Sequence, residues 1–248
     1  TRPAMSNNRV IWLSPTDPEE AFPPVEAALR EPDGLLAAGG DLSTERLLSA
    51  YRSGIFPWSD EGQPILWWSP DPRCAFRKGD FHLSRSLRRH VRRSTAEVRF
   101  NTSFPAVIRA CAAPRASEKE TWITADIIAA YERLHSEGWA HSVEIWRDGS
   151  LVGGLYGLAI GRAFFGESMY SAEENASKIA LLTLSNMINS DGFGLFDCQV
   201  PSSHLLSLGA KLIPRREFIE TLKPLCNPVA PFENWPSAPI SMQELLPA

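Results

Sequence analysis

Hydrophobic and polar positions along the chain give their clearest pattern between residues 141 and 200. Residues 141–146 alternate as a strand, and the turn pair Asp148-Gly149 returns the chain into a second strand over 151–160. Gly161-Arg162 turns it again into a third strand over 163–170. A long helix follows, with Ser171 as a capping residue and Leu181, Leu182, Leu184, Met187 and Ile188 repeating on one apolar face. Gly192 and Gly194 end it and release a short apolar strand over 195–200. Upstream, Thr124 caps a helix with Ile127, Ile128, Tyr131 and Leu134 inward and Gly138 at its end. Another helix starts near Ser43, sets Leu47, Leu48 and Tyr51 on one face and stops at Gly54. Prolines between Pro15 and Pro32 make that stretch irregular, with a short helix over 25–30 and a turn at Pro32-Asp33-Gly34. After the central strand, 203–208 reads as helix, 210–213 as extended chain and 216–225 as helix. The proline-rich last twenty residues are expected to wrap the surface. Helix, antiparallel meander, long helix and a strand in crossover relation make an α+β fold with a mixed sheet. The expected division is a small N-terminal domain over 1–72 and a main domain over 73–248.

Three polar residues interrupt this apolar framework. Glu167 is the one acid in Phe164-Phe165-Gly166-Glu167-Ser168-Met169-Tyr170, and Asp197 and Gln199 break the last strand. Their spacing of two predicts a shared strand face, with Cys198 on the other. A carboxylate in an apolar strand is costly unless paired, exposed or used, so rim residues and chemical groups both remain open readings. Trp58, Trp67 and Trp68 crowd a proline-rich stretch that reads as loop, suited to stacking on bases or peptide, or to closing a small aromatic core. Residues 81–94 form an amphipathic helix with Leu83, Leu87 and Val91 on one side and Arg85, Arg88, Arg89, Arg92 and Arg93 on the other. No acid dilutes it, which favours a phosphate-binding face over a mixed solvated surface.

Composition narrows the picture. With 25 bases against 29 acids, a nucleic-acid partner must use a local patch such as that helix. Cys74, Cys111, Cys198 and Cys226 show neither C-x-x-C spacing nor metal-ligand spacing with the five histidines, which suggests reduced thiols in a cytoplasmic protein and no metal. No apolar run approaches the roughly 18 residues of a membrane span. Residues 1–4 precede Met5 and are set aside from the fold.

Several runs together resemble the leucyl/phenylalanyl-tRNA protein transferases of the bacterial N-end rule pathway. They are Glu31-Pro32-Asp33-Gly34-Leu35-Leu36-Ala37, Gly39-Gly40-Asp41-Leu42-Ser43, Gly54-Ile55-Phe56-Pro57-Trp58, Leu66-Trp67-Trp68-Ser69-Pro70-Asp71-Pro72-Arg73, Thr121-Trp122-Ile123-Thr124, Gly166-Glu167-Ser168-Met169, Glu174-Asn175-Ala176-Ser177-Lys178 and Asp197-Cys198-Gln199. The resemblance implies an acetyltransferase-like main domain beside a small N-terminal domain. It implies a cytoplasmic, monomeric enzyme without cofactor that moves Leu, Phe or, less well, Met from aminoacyl-tRNA to proteins with N-terminal Arg or Lys. It further implies that Asp197 and Gln199 act as a relay on the attacking amine and that Glu167 lies at the reacting centre. Trp58 and Trp122 would hold the terminal adenosine of the tRNA. Leu155, Met169, Leu181, Leu184, Ile188 and Phe196 would form the side-chain pocket. The residues suit this chemistry: an aminoacyl ester is already activated, and an α-amine with a reference pKa of about 7.7 to 8.0 needs only a modest acceptor. An acyl-CoA N-acetyltransferase is disfavoured because the turn Ser171-Ala172-Glu173-Glu174-Asn175 has two acids and no glycine to hold a pyrophosphate. A non-catalytic binding module leaves Glu167, Asp197 and Gln199 without a role.

Overall fold

The computed structural model describes residues 10–113, 121–190 and 192–246. Residues 1–4, set aside above, and residues 114–120 lie outside them.

The chain opens with β1 (Ile11–Leu13), which pairs in parallel with β2 (Leu35–Gly39). Between them the proline-rich segment is irregular, with one 3-10 turn at Val25–Ala27 in place of the expected helix. A single buried guanidinium organises it: Arg46, fully buried, donates to Asp41 Oδ2 at 3.0 Å and to the Ser14 carbonyl at 3.0 Å, and also reaches the Asp17 carbonyl. Arg46 belongs to α1 (Thr44–Arg52), capped by Ser43 as its sequence implied. β3 (Phe56–Pro57) and β4 (Leu66–Trp68) complete a four-stranded sheet in the order β1-β2-β4-β3. Trp67 and Trp68 are therefore strand residues rather than loop. Trp67 is fully buried and donates its indole N–H to the Gly39 carbonyl at 2.9 Å, so it serves the core.

From Arg73 onward the strands belong to a second sheet. The elements are β5 (Arg73–Phe76), α2 (Arg85–Arg93), β6 (Glu97–Phe100), α3 (Phe104–Ala112), α4 (Ala125–Ser136), β7 (Ala140–Arg147), β8 (Ser150–Ile160), β9 (Ala163–Ser171), α5 (Ala176–Asn189), β10 (Leu195–Gln199), α6 (Ser203–Ser207), β11 (Lys211–Ile213), α7 (Arg215–Leu225) and β12 (Ile240–Ser241). Strand order is β11-β5-β10-β9-β8-β7-β6-β12, with β9 and β10 parallel across the α5 crossover. This is the α+β fold with a mixed sheet that the patterning implied. β2 and β6 went unread because they are only five and four residues long, and α3 because Pro105 stands in its first turn and no side chain caps it.

Apolar residues fill both faces of the large sheet. On one side Tyr51, Trp67, Phe104, Tyr131, Phe165, Phe218 and Leu222 join the small sheet and α1, α3, α4 and α7 to it. On the other, Leu87 and Val91 of α2 and Ile179, Leu182, Leu184 and Ile188 of α5 pack over it. The C-terminal segment is more than a surface wrap. β12 adds the edge strand beside β6, and Phe232, Met242 and Leu245 are buried in the second cluster. Their burial joins the tail to the core. Met242→Ala is expected to cost about 2 to 5 kcal/mol by deleting a buried side chain, measurable by denaturant unfolding; a change within about 0.5 kcal/mol contradicts this role for the tail.

Candidate active site

β9 and β10 stay paired through Leu195↔Ala163, Phe196↔Phe164 and Asp197↔Phe165, and then they part. Each strand carries a bulge at that point. Pairing of β8 with β9 passes from Gly157↔Gly166 to Tyr156↔Ser168, which leaves Glu167 without an opposite residue. Pairing of β10 with β5 passes from Asp197↔Ala75 to Gln199↔Cys74, which leaves out Cys198. Bulges bend strands and re-aim side chains. Here they open a cavity of about 330 Å³ between the diverging ends. Gly166 is required at its rim, since a Cβ there would lie 2.5 Å from the Phe196 ring.

Leu155, Met169, Leu181 and Phe196 give this cavity its apolar wall, and Glu167, Gln199, Trp58 and Trp122 also line it. Leu184 and Ile188, expected in the pocket, do not line it. They lie one and two turns farther along α5, and both are buried in the core. Trp58 is 43% exposed, its backbone carbonyl accepts from the Trp68 indole at 2.7 Å, and its ring packs against that of Trp68 with 6.0 Å between centroids, leaving part of the ring open to solvent.

Asp197 and Gln199 do not share a regular strand face. The bulge breaks the alternation, so Cys198 and Gln199 both border the cavity while Asp197 is fully buried behind it. Arg73 takes both carboxylate oxygens of Asp197, Nε to Oδ1 at 2.8 Å and Nη2 to Oδ2 at 2.7 Å, and donates its third group to the Gly54 carbonyl at 2.8 Å. The guanidinium lies 4.8 Å from the ring centres of both Phe56 and Phe218. Asp197 Oδ1 also accepts the Gln199 backbone N–H at 3.0 Å, holding Gln199 at a left-handed φ of 56°. That conformation is uncommon for a residue with a Cβ. The Gln199 side-chain amide nitrogen is buried with no hydrogen-bond partner among the described residues, and the residue is 8% exposed at the cavity wall. An unpaired buried donor costs free energy that a ligand can recover. In the sequence Arg73 stood out only as the last residue of the run from Leu66 that carries the resemblance.

Glu167 accepts from Tyr51 Oη at 2.6 Å on Oε1 and from Tyr131 Oη at 2.9 Å on Oε2, and the two phenols also touch each other. Burial pushes the carboxyl from its ordinary 4.5 up to about 7. The phenol hydrogen bonds and the Arg73 charge oppose that rise, and the Asp197 charge adds to it. Burial, followed by the Glu167 charge, pushes both phenols well up, so they remain protonated donors. Sequence patterning placed Tyr51 and Tyr131 correctly on inward helix faces, but gave no sign that they meet across 80 residues.

α2 is capped by Ser84, with Leu87 and Val91 buried. Arg85, Arg89, Arg92 and Arg93 are exposed and Arg88 is half-buried, and none of the five side chains has a hydrogen bond or ion pair among the described residues. The N-cap of α5 is Asn175, which makes no side-chain cap, rather than the expected Ser171; the Ser171 hydroxyl, upstream of the helix, accepts the Ser177 N–H at 2.8 Å. No group of three His, Cys, Asp or Glu side chains that could hold a metal occurs among the described residues. No helix there is long and apolar enough to cross a membrane.

Known proteins resemble the chain over most of its length. The profile of the leucyl/phenylalanyl-tRNA protein transferase N-terminal domain matches residues 40–71, and that of leucyl/phenylalanyl-tRNA protein transferase matches residues 75–223. A leucyl/phenylalanyl-tRNA protein transferase of Hahella chejuensis is 57% identical over 86% of this chain and 89% of its own. One from Pseudomonas aeruginosa strain LESB58 is 56% identical over 86% and 94%, and one from Pseudomonas syringae pv. syringae is 58% identical over 86% and 92%. Among solved structures, a ribosomal-protein-alanine N-acetyltransferase from Brucella melitensis biovar Abortus superposes with TM-score 0.33 at 14% identity over 44% of this chain and 83% of that one, a likeness that adds no weight to the fold seen directly. The molecule is an aminoacyltransferase that uses aminoacyl-tRNA and protein acceptors. It belongs to the leucyl/phenylalanyl-tRNA protein transferase family.

The raised carboxyl of Glu167 has a consequence for stability. Between about pH 4.5 and 7 the folded state keeps a proton that the unfolded state has released, so this group makes stability fall as pH rises through that window. Glu167→Gln should therefore lose less melting temperature than wild type between those pH values. A difference between the two proteins that stays constant across the window contradicts the shift.

Proposed function

We propose that the cavity transfers leucine or phenylalanine, and methionine less well, from aminoacyl-tRNA to the α-amine of a protein beginning with arginine or lysine, in the cytoplasm, marking the acceptor for N-end rule degradation. One observation carries this reading: a single cavity joins an apolar wall, two tryptophans, a carboxylate and a buried amide nitrogen with no partner among the described residues. The amino-acid side chain occupies the wall of Leu155, Met169, Leu181 and Phe196. The terminal adenosine stacks on Trp58 and Trp122. The arginines of α2 hold tRNA phosphates, positioning the donor without reading bases.

The acceptor nitrogen attacks the ester carbonyl carbon, a C–N bond forms, the C–O bond to the ribose breaks, and the amine proton leaves as the ribose hydroxyl is regenerated. No nucleotide or metal is needed, because the ester is already activated. The Gln199 side-chain amide orients the amine. Asp197 is a positioning residue that acts on Gln199 through its peptide N–H while Arg73 holds the carboxylate. Glu167, when ionised, attracts the cationic acceptor, and Tyr51 and Tyr131 fix its orientation.

A filter assay for labelled leucine passing from tRNA to an arginine-starting peptide tests the reading, with acetyl-CoA as control donor. Transfer from tRNA alone is expected. Transfer from acetyl-CoA, or from neither donor, overturns it. Pocket selectivity follows from shape, since an apolar cavity separates side chains by only about 1 to 3 kcal/mol per methylene. Leu155→Phe should depress kcat/KM for phenylalanine transfer more than for leucine transfer; an unchanged ratio removes Leu155 from the pocket.

A further inference from the structure

A second cavity, of about 560 Å³, lies between α2 and the start of α5. Arg89, His90 and Arg93 line it from one flank of α2, Arg147 from the end of β7, and Lys178 from the first turn of α5. Four permanent cations thus face one cleft in a protein whose formal charge is −4. Its acids are weak opponents. Glu173 is paired with Arg147, and Glu174, the one carboxylate among the described lining residues, is exposed to solvent beside Asn175. Among the described residues Arg89 and Arg93 have no partner, and the Nε of Arg147 is buried without one. Clustered guanidinium groups with unused donors suit a phosphate.

The cleft is next to the reaction cavity. Lys178 and Leu181 are three residues apart on α5, about 4.5 Å along the axis, and Leu181 lines the apolar wall. The ammonium is held by Asn175 Oδ1 at 3.0 Å. It is also close enough to His204 of α6 to help hold that imidazole below its usual range, after burial. Leu205, the neighbour of His204, lines the reaction cavity.

We infer that this cleft binds a backbone phosphate of the donor RNA close to its reacting end, with Lys178 and Arg147 completing a site to which α2 contributes Arg89 and Arg93. The inference rests on the aminoacyl-tRNA reading and extends it: the basic surface is a cleft built from three elements rather than one helix face, and Lys178 links phosphate binding to the position of the ester. Glu173, held by Arg147, and Glu174, turned to solvent, leave the flanking cations to bind the anion. The Ser177 amide at the start of α5 is already taken by Ser171.

The test is Lys178→Gln in the full chain, with Lys178→Arg as the charge-preserving control, assayed with aminoacyl-tRNA and with a phosphate-free aminoacyl-adenosine over a range of salt. Loss of one phosphate contact predicts a several-fold rise in KM for aminoacyl-tRNA and a salt slope shallower by about 0.7 to 0.9. Turnover of aminoacyl-adenosine should be unchanged, and Lys178→Arg should restore both values. Equal loss with both donors, or no loss with tRNA, overturns the inference while leaving the transferase reading intact. If wild type transfers nothing from tRNA, that reading fails, and the same salt slope measured by binding of a single-stranded RNA oligonucleotide still decides the cleft. Inorganic pyrophosphate raising the melting temperature of wild type but not of Lys178→Gln, with RNA affinity equal in the two, identifies a free phosphate compound as the ligand and also overturns it.

Discussion

The buried ion pair of Arg73 with Asp197 is the contact on which the site depends. Arg73 opens β5 and Asp197 lies in the adjacent β10, so the pair bridges two strands at the point where pairing becomes irregular. Its third hydrogen bond reaches Gly54, at the end of α1, and its flanking rings come from β3 and α7. The small sheet, the large sheet and a C-terminal helix therefore converge on one guanidinium. Such a pair need not add net stability over an apolar replacement, but removing one partner strands a buried charge at about 3 to 5 kcal/mol. What it secures is geometry: Asp197 spends its charge on Arg73 and its remaining acceptor capacity on the Gln199 peptide, and Gln199 is thereby held in a conformation it would otherwise avoid.

The two bulges explain why a cavity exists at all. A regular β9–β10 pair would continue past Phe165 and Asp197 and close the sheet. Instead Glu167 and Cys198 are the extra residues, the strands diverge, and polar groups meet in an otherwise apolar interior. The cost of placing Glu167 there is moderated by two phenols delivered from α1 and α4. Those helices are drawn together by the same apolar cluster that contains both tyrosines, so core packing and carboxylate orientation share residues.

Much of the scaffold was legible in sequence because its signals are local. The Asp148-Gly149 and Gly161-Arg162 turns, the Ser43 and Thr124 caps and the apolar face of α5 each declare an element within a few residues, and all five lie where patterning put them. Trp58, Trp122, Glu167 and Gln199 do come to one cavity, and with Asp197 they were singled out through polar interruption or family resemblance. The rest depended on relations between distant segments. A spacing of two implies a shared face only if the strand stays in register, and the register at Asp197 is set by β5, more than a hundred residues earlier. Arg73 as partner, the phenols around Glu167 and the exclusion of Leu184 and Ile188 from the wall all follow from tertiary register. The prolines around Trp67 concealed three strands because each run is only a few residues long.

The central claim is that Asp197 serves transfer by fixing Gln199 rather than by touching substrate. Single-turnover rates for Asp197→Asn, Gln199→Ala and the double variant, measured well below their melting temperatures with folding checked by circular dichroism, test it most directly. The account predicts that Asp197→Asn lowers the rate by about 10² to 10⁴, and that the double variant is little worse than the slower single one because the two residues act as a unit. A folded Asp197→Asn protein with wild-type rate, or losses that multiply in the double variant, contradicts it.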